Sequence, residues 1–155
     1  MVMAETEARE LQVSVQTFVR TFGLLVTKQT PCGQPVSPSY AHALMLLLDR
    51  ATSDRATTQS ELAAELGLDK SSITRLCSRL EADDRITQKP GAEDARSRHV
   101  ELTGRGRKLA TTIRAASLER FGRVLEAIPL TKRRGVLGAL SLLTQAVTSL
   151  GEDQE

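Results

Sequence analysis

Short polar and basic side chains crowd one stretch of this sequence: Lys70, Ser71, Ser72, Thr74, Arg75, Ser78 and Arg79 alternate with Ile73, Leu76, Cys77 and Leu80. On a helix the apolar set shares one side and leaves the hydroxyl, ammonium and guanidinium groups together on the other. That set suits hydrogen bonding rather than bond making. An Arg fork matches the paired acceptors of a guanine edge, and hydroxyls and Lys reach phosphate oxygens. More basic groups, Lys89, Arg96 and Arg98 with His99, follow around Pro90-Gly91-Ala92-Glu93-Asp94. That segment is turn chemistry between two potential strands, Arg85–Lys89 and Arg98–Leu102. A basic hairpin beside such a helix can reach phosphates or a narrow minor groove, which attracts Arg. With only 2 His and 2 Cys, and no CxxC, HExxH, P-loop or GxGxxG, the sequence offers no catalytic constellation, so an enzyme is not expected.

The elements that must carry these groups are legible on either side. Thr58 and Glu61 form a capping box for a short helix with Leu62, Ala63 and Leu66 on its apolar face. Gly67 permits a left-handed turn, and Asp69 caps the polar-faced helix. Two helices so joined match a helix-turn-helix, whose second helix lies in a major groove. Upstream, Leu11, Val15, Phe18, Val19, Phe22, Leu25 and Val26 predict an amphipathic helix over Glu5–Thr27. Thr30–Pro38 is a connector whose three prolines oppose helix. Ser37 or Ser39 then starts a helix over Tyr40–Asp49, apolar around most of its circumference and therefore a central pillar. Downstream, Thr103 caps a helix reaching about Ala127, with Leu109, Ile113, Ala116, Val124, Leu125 and Ile128 on one side. Pro129 breaks it, Thr131 recaps, and Lys132–Leu150 turns Val136, Leu137, Leu140, Leu143 and Val147 inward.

The fold class so predicted is mainly α with a small β-hairpin wing, a winged helix-turn-helix over 37–102 flanked by long helical dimerisation segments at 1–36 and 103–155. The apolar stripes of those helices must be buried against something. A second copy in a two-fold homodimer is the simplest cover, and a monomeric bundle is the alternative. A dimer would also read two half-sites about one turn (~34 Å) apart on double-stranded DNA.

At 155 residues with net charge +2, the chain is one compact subunit with positive charge gathered locally. No apolar run approaches the ~20 residues that cross a bilayer, and the N-terminal residues lack signal-peptide character. A cytoplasmic protein with no membrane partner is the expectation. The two cysteines form no disulfide framework. Cys77 falls on the apolar side of its helix. Cys32, between prolines and ten residues before His42, could join that imidazole in a metal site or redox switch, or both could be structural. Phe18, Phe22, Tyr40, His42 and Met45 are candidates for an effector pocket, with ordinary core packing the alternative. No motif requires a cofactor, which leaves a metal or small-molecule effector as the open addition.

The segments ELAAELGLDKSSITRLCSRLE and EDARSRHVELTGRGRKL together resemble the MarR-type transcription regulators, and the likeness runs through nearly the whole chain. The resemblance implies an obligate homodimer with intertwined terminal helices, repressing genes by covering an operator and relieved by a small ligand, metal or oxidant. It also implies that Arg96 enters the minor groove while Asp94 orients it, as a carboxylate beside a guanidinium can. Asp84 stands where such proteins usually end the recognition helix with Gly, and Gln88 where the first wing strand usually ends in Arg. In a zinc-sensing branch a connector Cys and an early His of the second helix are ligands, but the further histidines of that branch are missing from 103–127. In a peroxide-sensing branch the Cys lies within the first helix, whereas Cys32 lies past it. The alternative reading is a protein-interaction module on a winged-helix scaffold without specific DNA binding.

Overall fold

The computed structural model describes residues 2–51, 56–91 and 96–152. The elements run α1 (Val2–Phe22), α2 (Pro38–Arg50), β1 (Thr57–Thr58), α3 (Gln59–Leu66), α4 (Lys70–Ala82), β2 (Ile86–Pro90), β3 (Arg98–Leu102), α5 (Gly104–Glu126) and α6 (Leu130–Glu152). Two compact units result, Met1–Ser117 and Leu118–Glu155, with the boundary inside α5.

Local chemistry sets the boundaries in the first unit. Ser37 caps α2, its Oγ accepting from the Tyr40 N–H at 3.4 Å, and Pro38 occupies the first helical turn. The sequence reading that all three connector prolines oppose helix is corrected there, because a first-turn N–H has no helical partner to lose. Thr58 and Glu61 form the expected capping box, with N–H to side-chain distances of 3.2 and 2.8 Å. Gly67 turns the chain left-handed at φ 62°, and Asp69 Oδ1 accepts from the Ser72 N–H at 2.7 Å to start α4. Thr103 caps α5 by accepting from the Gly106 N–H at 2.9 Å.

The core gathers around α2, which buries Tyr40, Ala41, Ala43, Leu44 and Leu47, as a pillar should. Against it pack Leu62 of α3, Ile73, Leu76, Cys77 and Leu80 of α4, Ile86 and Val100 of the sheet, and Ala110 and Ile113 of α5. The sheet is antiparallel in the order β1-β3-β2, with Ile86 opposite Leu102 and Thr57 opposite Val100. β1 was not expected, and the first wing strand runs one residue later than predicted.

Helix ends also differ from prediction: α1 starts at Val2 rather than Glu5, and α2 runs Pro38–Arg50 rather than Tyr40–Asp49. α1 stops at Phe22 rather than Thr27: Gly23 adopts φ 89°, and the N–H groups of Gly23 and Leu24 return to the carbonyls of Arg20 and Val19 at 3.2 and 3.0 Å. That paired return terminates a helix in spite of apolar residues beyond it. α6 begins at Leu130 rather than after a Thr131 cap, with the Pro129 carbonyl accepting from the Lys132 N–H at 2.8 Å.

The long helices are covered less than the winged helix. On α1, Leu11, Val13, Val15 and Phe18 are exposed, and on α6 so are Val136, Leu137, Leu140, Leu142, Val147 and Leu150. The residues expected inward on α6 are thus uncovered within one chain, apart from half-buried Leu143. No helix among the described residues is long and apolar enough to cross a membrane.

Candidate nucleic-acid interface

α4 buries Ile73, Leu76, Cys77 and Leu80 and exposes Lys70, Ser71, Thr74, Arg75, Ser78 and Arg79, with Ser72 half-buried. The predicted polar set is therefore brought to one side of one helix. Its members are not equally available. Asp69 draws in the nearby hydroxyls: the Ser72 Oγ donates to its Oδ2 at 3.0 Å. The Ser72 N–H, with help from Ser71, holds the Asp69 carboxyl below its ordinary value. The Thr74 hydroxyl donates back to the Lys70 carbonyl at 2.7 Å, which leaves its methyl and lone pairs facing out. Arg75 stands exposed from the middle of the face.

Arg79 is held. Its guanidinium carbon lies 5.5 Å from the centre of the Tyr40 ring, within range for a cation over an aromatic face. Tyr40 itself is 3% exposed, and its hydroxyl donates to Asp83 Oδ2 at 3.0 Å. Burial raises the phenol above its ordinary value; the Asp83 carboxylate adds to the rise, and the positive charge of Arg85 opposes it.

Beside α4 the wing projects Arg98 at the start of β3 and Arg96 just before it, both exposed. Lys89 pairs across the hairpin with Glu101 at 2.9 Å, and both groups are open to water, so the pair can be exchanged for a phosphate at small cost. Asp94 lies outside the described residues. Gln88 has a different task from the Arg it replaces in the resemblance. Its N–H and side-chain amide donate to the two carboxylate oxygens of Glu81 at 3.0 and 2.9 Å, and its Oε1 accepts from Gln59 at 2.9 Å. The wing is thereby stapled to the end of α4 and the start of α3. Sequence reasoning missed Gln59, Glu81 and Gln88, because pairs so far apart leave no periodic signal.

The joint after α4 is equally specific. Asp84 adopts φ 54°, the left-handed conformation expected of it in place of Gly. Thr103 Oγ1 donates to the Asp84 carbonyl at 2.7 Å and the Thr103 N–H to the Arg85 carbonyl at 3.0 Å. Gly106 packs so tightly here that a Cβ would sit 1.8 Å from the Arg85 oxygen.

The other candidates do not converge. Phe18 and Phe22 stack on α1 with ring centres 5.2 Å apart, whereas Tyr40 is buried in the core. His42 is exposed, and Met45 packs half-buried against the core. Cys32 is half-buried, its sulfur 3.0 Å from Thr30 Oγ1. No group of three or more His, Cys, Asp and Glu stands ready for a metal among the described residues. Cys77 is buried as expected, which raises its thiol, against a hydrogen bond with Gln59.

Helix, turn, recognition helix and three-stranded wing define a winged helix-turn-helix protein. The model of the MarR family matches residues 34–97. No curated protein matches it. Among solved structures it is similar to the S. aureus MepR–DNA complex (16% identity, 94% of this chain and 96% of that one, TM-score 0.64). It is also similar to Streptococcus pneumoniae FabT in complex with DNA (17% identity, 96% of both chains, TM-score 0.64). A third is the PcaV transcriptional regulator from Streptomyces coelicolor in complex with its natural ligand (19% identity, 90% of both chains, TM-score 0.59). At these identities the structural likeness establishes the fold.

Proposed function

We propose that this chain is a sequence-specific DNA-binding transcription regulator, a cytoplasmic homodimer that represses by occupying a pseudo-palindromic operator and is released by a small effector. The observation that carries this reading is the exposed face of α4, whose basic and hydroxyl groups stand opposite a wholly apolar buried face. A solvated surface helix has no need to segregate Arg75 and Arg79 beside a basic wing; a groove reader does. MepR and FabT, with the same fold, are known on DNA, and PcaV with a ligand, which supports both halves of the reading.

Arg75 is the base-reading residue. Lys70, Ser78 and the lone pairs of Ser71, Ser72 and Thr74 accompany it on the backbone and groove floor, and Lys89, Arg96 and Arg98 reach phosphate or minor groove with Asp94 beside Arg96. Segments 1–36 and 103–155 supply the dimer contacts. Their uncovered leucines and valines are the kind of surface a second copy buries. Phe18, Phe22, His42 and Met45 remain the candidate effector contacts, and Cys32 with His42 the candidate metal or redox pair; no cofactor is required for the fold.

Fluorescence anisotropy against the chain's own upstream DNA and a scrambled duplex, at two salt concentrations, tests the reading. Tight, salt-sensitive binding that favours the native duplex is expected. Arg75→Ala should remove roughly 1–3 kcal/mol of that preference and leave scrambled-duplex binding nearly unchanged. Equal losses on both duplexes would make Arg75 a phosphate contact. No binding to either duplex or to wider upstream fragments would turn the winged helix into a protein-interaction module.

A further inference from the structure

Tyr40 is buried on α2, yet it meets two groups at the far end of α4: the Arg79 guanidinium over its ring and the Asp83 cap at its hydroxyl. Its backbone is fixed as well, the Tyr40 N–H donating to the Ser37 cap. We infer that Tyr40 is a positioning residue for DNA binding, which presents Arg79 to the duplex in a preset orientation; this rests on the DNA-binding reading above.

The physical basis is preorganisation. An exposed Arg on the last turns of a helix samples many rotamers, and a contact with DNA must select one of them. A guanidinium already resting on an aromatic face has lost much of that freedom before it binds, and its outward N–H groups stay available, because the ring engages only the planar face. The hydroxyl supplies the second half of the device. Donating to Asp83, it anchors the ring to the C-cap of the same helix that carries Arg79. Core packing alone needs neither the hydroxyl nor a cation above the ring, and a Leu would fill much of the space.

The test is a double-mutant cycle read by anisotropy on the upstream duplex, with folding followed by circular dichroism. Arg79→Ala should weaken binding about 10-fold and Tyr40→Leu about 5-fold, while Tyr40→Phe, which keeps the ring, should stay within about 3-fold of wild type. The double variant should bind no worse than Arg79→Ala alone, to within about 2-fold, because Tyr40 acts through Arg79. Losses that multiply in the double variant, or a Tyr40→Leu protein that binds as well as wild type or better, would overturn the inference while leaving the DNA-binding reading intact. A wild-type protein that shows no salt-dependent binding would remove both. Should Tyr40→Leu fail to fold, NMR of the wild type decides. Arg79 side-chain protons shifted upfield by the ring, and still shifted in Tyr40→Phe, uphold the assignment; unshifted protons defeat it.

Discussion

Leu44 and Leu137 are the same side chain, each inside a helix, and they meet opposite fates: Leu44 is fully buried, whereas Leu137 is 56% exposed. The contrast divides the molecule. From α2 to the start of α5, every large apolar side chain finds cover within one chain, and the polar staples Gln88–Glu81, Tyr40–Asp83 and Thr103–Asp84 close the remaining joints. Along α1 and α6, leucine and valine face outward at the spacing that marks a buried face. The winged helix has its apolar side chains covered within one chain, and the terminal helices leave theirs uncovered, the surface that the homodimer proposed above would bury. For the regulator proposed above, that division would keep the DNA-reading surface and the dimer surface on separate parts of the chain.

The largest effect expected lies inside the complete region. Gly106→Ala would place a methyl 1.8 Å from the Arg85 carbonyl oxygen, a backbone atom that cannot swing aside. Urea unfolding should show a loss of about 3 kcal/mol or more, the upper end for overpacking. A loss below about 1 kcal/mol would mean that α5 can slide away from the joint, and that the winged helix is less closed than it looks. The incomplete region should respond in the opposite sense. Leu137→Asp with Leu140→Asp should leave the far-ultraviolet dichroism unchanged but shift sedimentation from dimer to monomer, weakening self-association by more than about 100-fold as charges meet an apolar interface. A protein that sediments as a monomer before substitution would break the comparison.

A smaller effect tests the Tyr40 staple. Because the folded phenol titrates above its unfolded value, the stability it contributes is fully present below about pH 10 and is lost as pH rises through the folded value. Tyr40→Phe should cost about 1 kcal/mol at pH 7, one net hydrogen bond, and should also flatten the alkaline decline in urea midpoint. An identical decline in both proteins would place the hydroxyl in water.

How far these features could be read in advance follows from their range. The caps at Thr58, Asp69 and Thr103, the left-handed Gly67 and Asp84, the inward Cys77 and the polar face of α4 depend on neighbours within a turn or two, and these were legible; the Thr131 cap was misread. β1 was not, since Thr57 and Thr58 acquire strand geometry only by pairing with Val100 and His99. The same holds for Gln88, whose partners sit 7 and 29 residues away, and for Arg79, whose ring partner lies on another helix. The end of α1 misled for a different reason: Leu25 and Val26 continue the apolar rhythm past Gly23, but in the chain alone they are exposed and cannot hold a helix that Gly23 terminates. In the proposed DNA-binding face, the polar set of α4 could be read from sequence, whereas long-range contacts determine which of its members are already engaged.

The smallest effect concerns Asp84, where both descriptions of the joint can be separated. A non-glycine residue in the left-handed region costs roughly 1–2 kcal/mol, and Gly returns roughly 0.5–1 kcal/mol of that as unfolded-state freedom. The bond from Thr103 goes to the Asp84 carbonyl, so Gly keeps it. Among the described residues, the side-chain contact removed is the pair with Arg105 at 3.3 Å, and with the two groups 60% and 75% exposed it contributes little. Asp84→Gly should therefore stabilise the protein by up to about 1 kcal/mol in urea unfolding, leaving DNA affinity unchanged. A destabilised variant would show that the carboxylate, rather than the backbone, holds the recognition helix against α5, and the reading head would then be rigid for an electrostatic reason that salt could dissolve.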